Sequence, residues 1–155
     1  MPNSQPSAAR DVEQPAIGSS ILLYDGECGL CQRTVRWMLR HDPQGRLLFM
    51  PLQQPQAAEV FIRHALDVRQ INSAVLVRHF GEPAECVDFR SDAILGCLRI
   101  LGGGWALLAA VARLVPRALR DGVYNLLARN RHRLRVNGEI CSLPNTAERA
   151  RFLDL

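Results

Sequence analysis

Two cysteines separated by two residues, Cys28 and Cys31, follow an apolar run and the dipeptide Asp25-Gly26 at the start of a helical pattern. A cysteine at a helix N-terminus lies against unpaired backbone N–H groups and the positive end of the helix dipole, which both favour the thiolate. A second cysteine three residues later lies one turn further on, at a Cα separation of about 5 Å. A disulfide needs roughly 4.4–6.8 Å. The spacing therefore predicts a reversible dithiol.

The two sulfurs are expected to have different roles. Cys28 is the candidate nucleophile, because cysteines at helix ends have pKa values lowered from about 8.5 to about 3.5–7.5. Cys31 would then resolve the mixed disulfide. Half of a zinc site is the alternative, but zinc usually needs a second Cys-x-x-Cys or a histidine pair at short spacing. The other cysteines and the histidines are scattered, so the pattern favours redox chemistry with no metal and no organic cofactor; they are Cys86, Cys97, Cys141, His41, His64, His79 and His132.

Asp25 has two interpretations that the sequence leaves open. Its carboxylate would oppose a thiolate at Cys28 by like-charge repulsion, but it could accept the proton of Cys31 during resolution. Alternatively, Asp25-Gly26 forms the turn and the side chain accepts hydrogen bonds from backbone N–H groups.

The other cysteines and the tryptophans are expected to be mainly structural. Cys86 falls on a predicted strand and Cys97 in an apolar helix, where a thiol behaves as a small hydrophobe. Cys141 falls in a polar loop, as a structural residue or as a second exchange partner for Cys31. Trp37 and Trp105 are predicted core anchors.

Composition favours one globular domain. The chain has 155 residues, 48% of them hydrophobic, which suffices for a core of its own. The net charge of +4 comes with no lysine at all. The N-terminal stretch lacks the apolar segment of a secretion signal, and the longest apolar window, 100–112, is too short for a membrane span. We therefore expect a cytoplasmic protein with free thiols, no membrane span and no nucleic-acid partner.

Periodicity predicts alternating strands and helices after a disordered leader at 1–19. The strands are expected at 21–24, 47–52, 73–80 and 85–89, the last two forming a hairpin. Helices are expected at 28–41, 55–66 and 92–101, the second burying Ala58, Phe61, Ile62 and Ala65 and the third capped by Ser91. This order predicts an α/β fold with a mixed four-stranded sheet and helices on both faces.

The last third of the chain is predicted to be helical. Residues 104–145 are expected to extend a single domain spanning 20–155, with helices at 105–115 and 121–134 separated by Pro116. Val123, Leu126 and Leu127 are expected to face inward. Arginines crowd this segment, which suggests an alternative function as a non-catalytic module that binds an anionic partner. A solvated helix face is the simpler interpretation; the arginines are Arg113, Arg117, Arg120, Arg129, Arg131, Arg133 and Arg135.

Several short motifs, spread over about residues 20–145, resemble the DCC family of predicted thiol-disulfide oxidoreductases. They are Asp25-x-x-Cys28-x-x-Cys31, Ser91-Asp92-Ala93, Tyr124-x-x-x-Ala128-Arg129-Asn130-Arg131 and Cys141-x-Leu143-Pro144. The resemblance implies a thioredoxin-like fold. It also implies disulfide exchange with a protein or low-molecular-weight substrate, a thiol reductant that restores the dithiol, and Cys28, Cys31 and Asp25 as site residues.

The chain departs from thioredoxin and glutaredoxin at one position that matters for binding. Those proteins carry a cis-proline before the third strand, facing the dithiol, whereas the corresponding stretch here is Gln70-Ile71-Asn72-Ser73. Gly29-Leu30 between the cysteines also matches neither protein. The resemblance therefore does not extend to their mode of substrate binding or to a redox potential.

Overall fold

The structure, a computed structural model, describes residues 16–67, 71, 73–130 and 149–153. Their elements are β1 (Ser20–Tyr24), α1 (Gly29–His41), β2 (Leu47–Pro51), α2 (Pro55–Arg63), β3 (Val75–Arg78), β4 (Cys86–Phe89), α3 (Arg90–Leu101), α4 (Gly103–Ala112) and α5 (Arg117–Arg129). The strand order is β2-β1-β3-β4. β1 is parallel to β2 and antiparallel to β3, and β3 and β4 form the predicted hairpin. The arrangement is thioredoxin-like, as expected.

The sheet separates two hydrophobic clusters, and the alternation of side chains along β1 assigns its residues to them. Leu22 and Tyr24 pack with α1 and α3 on one face. Ile21 and Leu23 pack with α2 on the other. Because both faces of β1 are covered, its continuous apolar sequence is the one expected of a central strand. The end of this strand is thereby fixed from both sides.

The close packing of α3 on the sheet depends on a glycine. A Cβ at Gly96 would lie 2.4 Å from Cδ2 of Leu76 on β3, too close for the Leu76 side chain and α3 both to keep their positions. α3 supplies much of the cluster that supports α1, so this approach helps to hold the layers in place.

The predicted inner face of α2 is partly wrong. Ala57, Val60 and Phe61 are buried, whereas Ile62 is 77% exposed. The helix ends at Arg63, before Ala65, and its contact stripe follows the spacing 57, 60, 61. Ile62 lies about 100° around the helix from Phe61 and so points to solvent.

Ser91 is not the cap of α3. The helix begins one residue earlier, at Arg90, with Phe89 at the N-cap position. The Ser91 hydroxyl instead donates a hydrogen bond to the carboxylate of Asp121 on α5. A serine in the first turn of a helix can serve tertiary packing as well as capping, and the sequence pattern does not separate the two.

The inward face predicted for α5 is also wrong. Val123 and Leu126 are each 60% exposed and Leu127 is 51% exposed. The side of α5 that contacts α3 is polar, because Arg120 and Asp121 bond to residues at the start of α3. The apolar stripe of α5 is therefore not buried in the core. The helix begins at Arg117 rather than at 121, and residues 131–134 lie outside the described residues.

Trp37 and Trp105 join α1 to α4, as expected of core anchors. Their rings meet edge to face at 4.7 Å, and His41 stacks on Trp37 at 4.3 Å. Both tryptophans are partly buried against the cluster beneath α1 and α3. Such aromatic contacts add about 0.5–1.5 kcal/mol to the free energy of area burial.

The segment 149–153 is bound to the free edge of β2. Phe49 exchanges backbone hydrogen bonds with Arg151 and Leu153. The Arg151 guanidinium reaches the fully buried carboxylate of Asp42 and the carbonyl of Leu47. Asp42 also accepts the backbone N–H of Leu47 at 2.9 Å. One buried carboxylate thus joins the end of α1, the start of β2 and the C-terminal segment.

Residues 16–19 continue β1 toward the hairpin. The N–H of Gly18 donates to the carbonyl of Phe80, and the N–H of Phe80 donates to the carbonyl of Ser19. The rest of the predicted leader, 1–15, lies outside the described residues.

We expect Arg151→Ala to destabilise the protein by about 3 kcal/mol. Removing one partner of a buried ion pair typically costs about 3–5 kcal/mol, and Arg46, 3.6 Å from Asp42, softens the loss. Urea denaturation measures the change. Arg33→Ala, at an exposed position in the middle of α1, is the control and should change stability by less than about 0.5 kcal/mol. Equal midpoints for the two variants would contradict the role given to Arg151.

Candidate active site

The turn after β1 places Cys28 at the N-cap of α1, as the sequence predicts. The N–H of Cys28 donates to the carbonyl of Asp25 at 3.2 Å, which closes the turn. The carbonyl of Cys28 accepts the N–H of Gln32 at 3.0 Å, which is the first turn of the helix. The Cys28 side chain therefore lies at the positive end of the α1 dipole, where an anion is stabilised.

The two sulfurs are in hydrogen-bond contact and are free thiols. The pKa of Cys31 is raised to about 12, chiefly by burial, and also by its hydrogen bond to Cys28 and by the nearby charges of Cys28 and Asp25. Cys31 therefore keeps its proton at neutral pH and can donate it to a Cys28 thiolate. A protonated Cys31 in contact with Cys28 suits an attacking sulfur supported by a neighbouring hydrogen-bond donor.

Asp25 occupies the turn role that was one of its two interpretations. Its Oδ1 accepts the N–H of Glu27 at 3.0 Å and the side-chain amide of Gln53 at 3.1 Å. Its negative charge raises the pKa of Cys31, while its backbone N–H donates to that sulfur and acts in the opposite direction. Asp25 thus shapes the turn and also lies within electrostatic reach of Cys31.

Two glutamines that the sequence pattern did not single out hold the same turn. Gln53, just after β2, accepts the N–H of Gly26 at 3.3 Å in addition to bonding Asp25. Gln32 in α1 donates its amide to the carbonyl of Gly26 at 2.5 Å. The site is thus fixed by side chains from both neighbouring elements. No motif marks them, since glutamines at element ends are common on ordinary surfaces.

The two other cysteines that the structure describes, Cys86 and Cys97, are not part of this dithiol. Cys97 is fully buried in α3, and burial raises the pKa of its thiol far above the usual range. This agrees with an inert core residue. Cys86 is half-buried on β4, on the predicted strand. Cys141, with the motif that follows it, lies outside the described residues.

A cavity of about 490 Å³ opens beside the dithiol. Cys28 and Cys31 form part of its wall, with apolar side chains of β1, α1 and α3. The opposite wall comes from the end of α4 and from α5, through Leu119, Val123 and Leu127. Cys28 is only 8% exposed, and it lines this cavity.

Tyr124 links α5 to the segment before β3, where thioredoxin would carry its proline. Its hydroxyl accepts the N–H of Ala74 at 2.8 Å. Burial raises the pKa of Tyr124, and the negative charges of Cys31 and Cys28 raise it further, although the bond from Ala74 acts in the opposite direction. The tyrosine of the C-terminal motif is thus a contact residue of the dithiol neighbourhood.

The Ser91-Asp92 motif holds α5 over this cavity. Asp92 accepts Arg120 at 2.8 Å and Arg117 at 3.1 Å, and Ser91 donates to Asp121. Two arginines of the predicted basic cluster are thus used within the fold. Its members Arg131, Arg133 and Arg135 lie outside the described residues.

The described part of the chain contains neither a cluster of metal-ligating side chains nor a membrane-spanning helix. No three histidine, cysteine, aspartate or glutamate side chains of the described residues are grouped to share a metal ion. No helix among these residues has the length and apolarity needed to cross a membrane.

Comparison with known proteins agrees with the geometry of the site. The sequence profile of the DCC1-like thiol-disulfide oxidoreductases matches residues 22–137. The uncharacterized protein YuxK of Bacillus subtilis is 31% identical over 137 residues, which cover 88% of this chain and 96% of that protein. A chloroplastic DCC family protein of Arabidopsis thaliana is 27% identical over 123 residues, 79% of this chain and 69% of its own length. No solved structure matches.

We expect Asp92→Asn to loosen α5. The substitution weakens the charged hydrogen bonds to Arg117 and Arg120, each of a kind that contributes about 1.5–3 kcal/mol when well formed. Amide hydrogen exchange across α5 should therefore accelerate at least about tenfold, which corresponds to about 1.4 kcal/mol of local stability.

Asp88→Asn is the matched control for this experiment. Its carboxylate is 22% exposed, against 23% for Asp92, and it pairs with Arg78 within the β3–β4 hairpin, away from α5. If the two substitutions accelerate amide hydrogen exchange in α5 equally, then Asp92 does not anchor the helix.

Proposed function

Because the chain belongs to the DCC1-like thiol-disulfide oxidoreductase family, we propose that it exchanges disulfides through Cys28 and Cys31. The observation that carries the proposal is the contact of two free thiols at the N-terminus of α1, beside an open cavity. Cys28 is the nucleophile, Cys31 the resolving cysteine and Asp25 the supporting residue.

The reaction proceeds in two exchange steps. The Cys28 thiolate attacks one sulfur of a disulfide R–S–S–R′, forms the mixed disulfide Cys28–S–S–R and releases R′–S⁻. Cys31 loses its proton and attacks the Cys28 sulfur, which releases R–S⁻ and leaves a Cys28–Cys31 disulfide. Two electrons pass to the substrate, and a thiol reductant returns the protein to the dithiol. No cofactor is needed, because the sulfurs carry the electrons.

Formation of the mixed disulfide prepares Cys31 for its step. Of the four causes that raise the pKa of Cys31, two arise from the Cys28 sulfur: the hydrogen bond and the negative charge. Both disappear once Cys28 is bonded to the substrate. Burial and the charge of Asp25 remain, so Cys31 becomes easier to ionise when it has to attack and still benefits from a base.

Asp25 is proposed to be that base. Its carboxylate raises the pKa of Cys31, which means that it favours the protonated thiol at rest. In the second step the same closeness lets it accept the departing proton. Its bonds to Glu27 and Gln53 keep the carboxylate oriented at the turn.

We further propose that residues 20–155 form one domain and that its helical extension, 104–145, belongs to the active unit. In support, α5 supplies one wall of the cavity and carries Tyr124. The proposed substrate is a protein or small disulfide. The proposed compartment is the cytoplasm, where thiol reductants are abundant. The name of the Arabidopsis thaliana relative places that protein in the chloroplast.

We expect Cys31→Ser to trap a mixed disulfide at Cys28. Without the resolving sulfur the first exchange step still occurs, so incubation with a disulfide should add one substrate thiol to the protein, detected by intact mass. Cys28→Ser should add none at this site, and Cys97→Ser, altered at a buried cysteine, should behave like the parent. The binding-module alternative would instead be supported if both active-site variants reacted like the parent and both kept salt-dependent binding of an anion.

We expect Asp25→Asn to change the pH dependence of resolution. An asparagine Oδ1 keeps the bonds from Glu27 and Gln53 but removes the charge and the base. Loss of the negative charge lowers the pKa of Cys31, yet this pKa stays above neutral because burial remains. In the variant, the proton of Cys31 therefore has to pass to water or hydroxide before Cys31 can attack. The rate of resolution should rise about tenfold per pH unit below the pKa of Cys31. The parent should show a shallower profile.

Stopped-flow measurement of the second thiol released, between neutral and mildly alkaline pH, gives this profile. Glu27→Gln, which removes an exposed carboxylate two residues away, is the control and should keep the shallow profile. If the rate of resolution rises equally steeply with pH in the parent and in Asp25→Asn, then Asp25 acts only in the turn and not as a base.

A further inference from the structure

The cavity beside Cys28 is more apolar than a site for a polar thiol compound would be. Its walls are built from aliphatic side chains of the sheet, α1, α3, α4 and α5, among them Leu22, Val35, Ile94, Leu119, Val123 and Leu127. Its volume of about 490 Å³ falls within the range of about 300–1,000 Å³ that is typical of sites for small molecules. It is large enough for an aliphatic chain in addition to a disulfide.

Five of the polar side chains at this cavity are bonded to the protein itself. Tyr124 accepts the N–H of Ala74, and Thr34 donates to the carbonyl of Leu30. Ser91 donates to Asp121, and the guanidinium of Arg120 is held by Asp92. Asp25 accepts Glu27 and Gln53. Two further polar side chains of the lining, Tyr24 and Ser73, each offer one uncharged hydroxyl.

Two kinds of reactant are disfavoured by this arrangement. A peptide that docks in an extended form needs backbone groups to pair with, and the N–H of Ala74 is occupied by Tyr124. A reactant with carboxylates needs a cation, and Arg120, the one basic side chain among the described residues that line the cavity, is paired with Asp92. Burying an unpaired charge there would be costly.

We propose, as an extension of the exchange function above, that the preferred reactant is a small disulfide carried on an uncharged aliphatic arm. The disulfide lies against Cys28, and the arm lies along the stripe of Leu119, Val123 and Leu127 on α5. These three residues are 63%, 60% and 51% exposed, so an apolar arm covers surface that is otherwise in contact with water. The exposed apolar residues of α5 thereby form the arm-binding wall.

The experiment uses a series of alkyl 4-pyridyl disulfides whose alkyl group grows from methyl to hexyl. The Cys28 thiolate attacks the sulfur that carries the alkyl group, forms Cys28–S–S–alkyl and releases 4-thiopyridone, which absorbs light. Cys31 then displaces the alkyl thiolate and closes the disulfide. The second-order rate constant for thiopyridone release is measured on the full chain, and the methyl compound provides the reference rate.

The rate constant should rise with chain length. Complete burial of one methylene favours binding by a factor of roughly four, so partial burial predicts an increase of about two- to fourfold per methylene. A carboxypentyl compound, similar in length to the hexyl compound but charged, should react no faster than the methyl compound. A series that is flat in the parent protein would overturn the inference.

Val123→Asp and Leu126→Asp form a matched pair. Both positions are 60% exposed on α5, but only Val123 lines the cavity. The ratio of hexyl to methyl rate constants should fall at least about fivefold in Val123→Asp and stay unchanged in Leu126→Asp. Using this ratio removes any general effect of the new charge on Cys28. Equal ratios in the two variants would overturn the placement of the arm.

The methyl compound separates this inference from the exchange function. If it reacts with the parent no faster than with Cys28→Ser, then disulfide exchange fails and the inference fails with it. If it reacts rapidly while chain length has no effect, then exchange stands and only the aliphatic reactant is refuted. The chain-length series requires no substitution, so it decides the question even where Val123→Asp does not fold.

Discussion

The fixed end of β1 is the constraint on which the site depends. β1 pairs with β2 on one side and β3 on the other, and both of its faces are covered. A strand held in this way ends at a defined point, and the turn after it is held by Gln53 and Gln32. Cys28 therefore starts α1 in one orientation. Reactivity that depends on a helix end needs this precision, because the favourable field falls off within the first turn.

α5 contributes to the site in a different way from the sheet. It adds almost nothing to the core, since it has no buried residue, and it is held by polar contacts at the start of α3 and by Tyr124. Its apolar side is thus left facing a cavity instead of a packed layer. A helix held by its polar side can present hydrophobic surface to a reactant, whereas a helix packed through its apolar side would fill the cavity.

The fold and the dithiol were predictable from the sequence because they depend on local signals. The apolar run of β1, the breakers after α1 and the Cys-x-x-Cys spacing each act over a few residues, and the succession of strands and helices follows from such signals. Long-range polar contacts leave no such signal. Ser91 has the pattern of a cap, yet its hydroxyl bonds to a helix thirty positions away. The stripe of Val123 and Leu127 has the period of a core face but lines a cavity. Gln53 carries no motif at all.

The dithiol can be both buried and reactive because the roles proposed for its two sulfurs need opposite protonation states. Cys28 has to ionise, whereas Cys31 has to keep its proton at rest. A buried thiol resists ionisation, as the raised pKa of Cys31 shows, and Cys97 shows the same effect in a place where no chemistry follows. What distinguishes the site is the helix end at Cys28, the proton that Cys31 donates to it and the carboxylate of Asp25 nearby. When Cys28 is bonded to a reactant, the groups that kept Cys31 protonated are reduced to burial and Asp25. In the proposed mechanism, the effects that keep Cys31 protonated at rest are therefore weakened once Cys28 has reacted, and the electrostatics of one helical turn favour the order of the two steps.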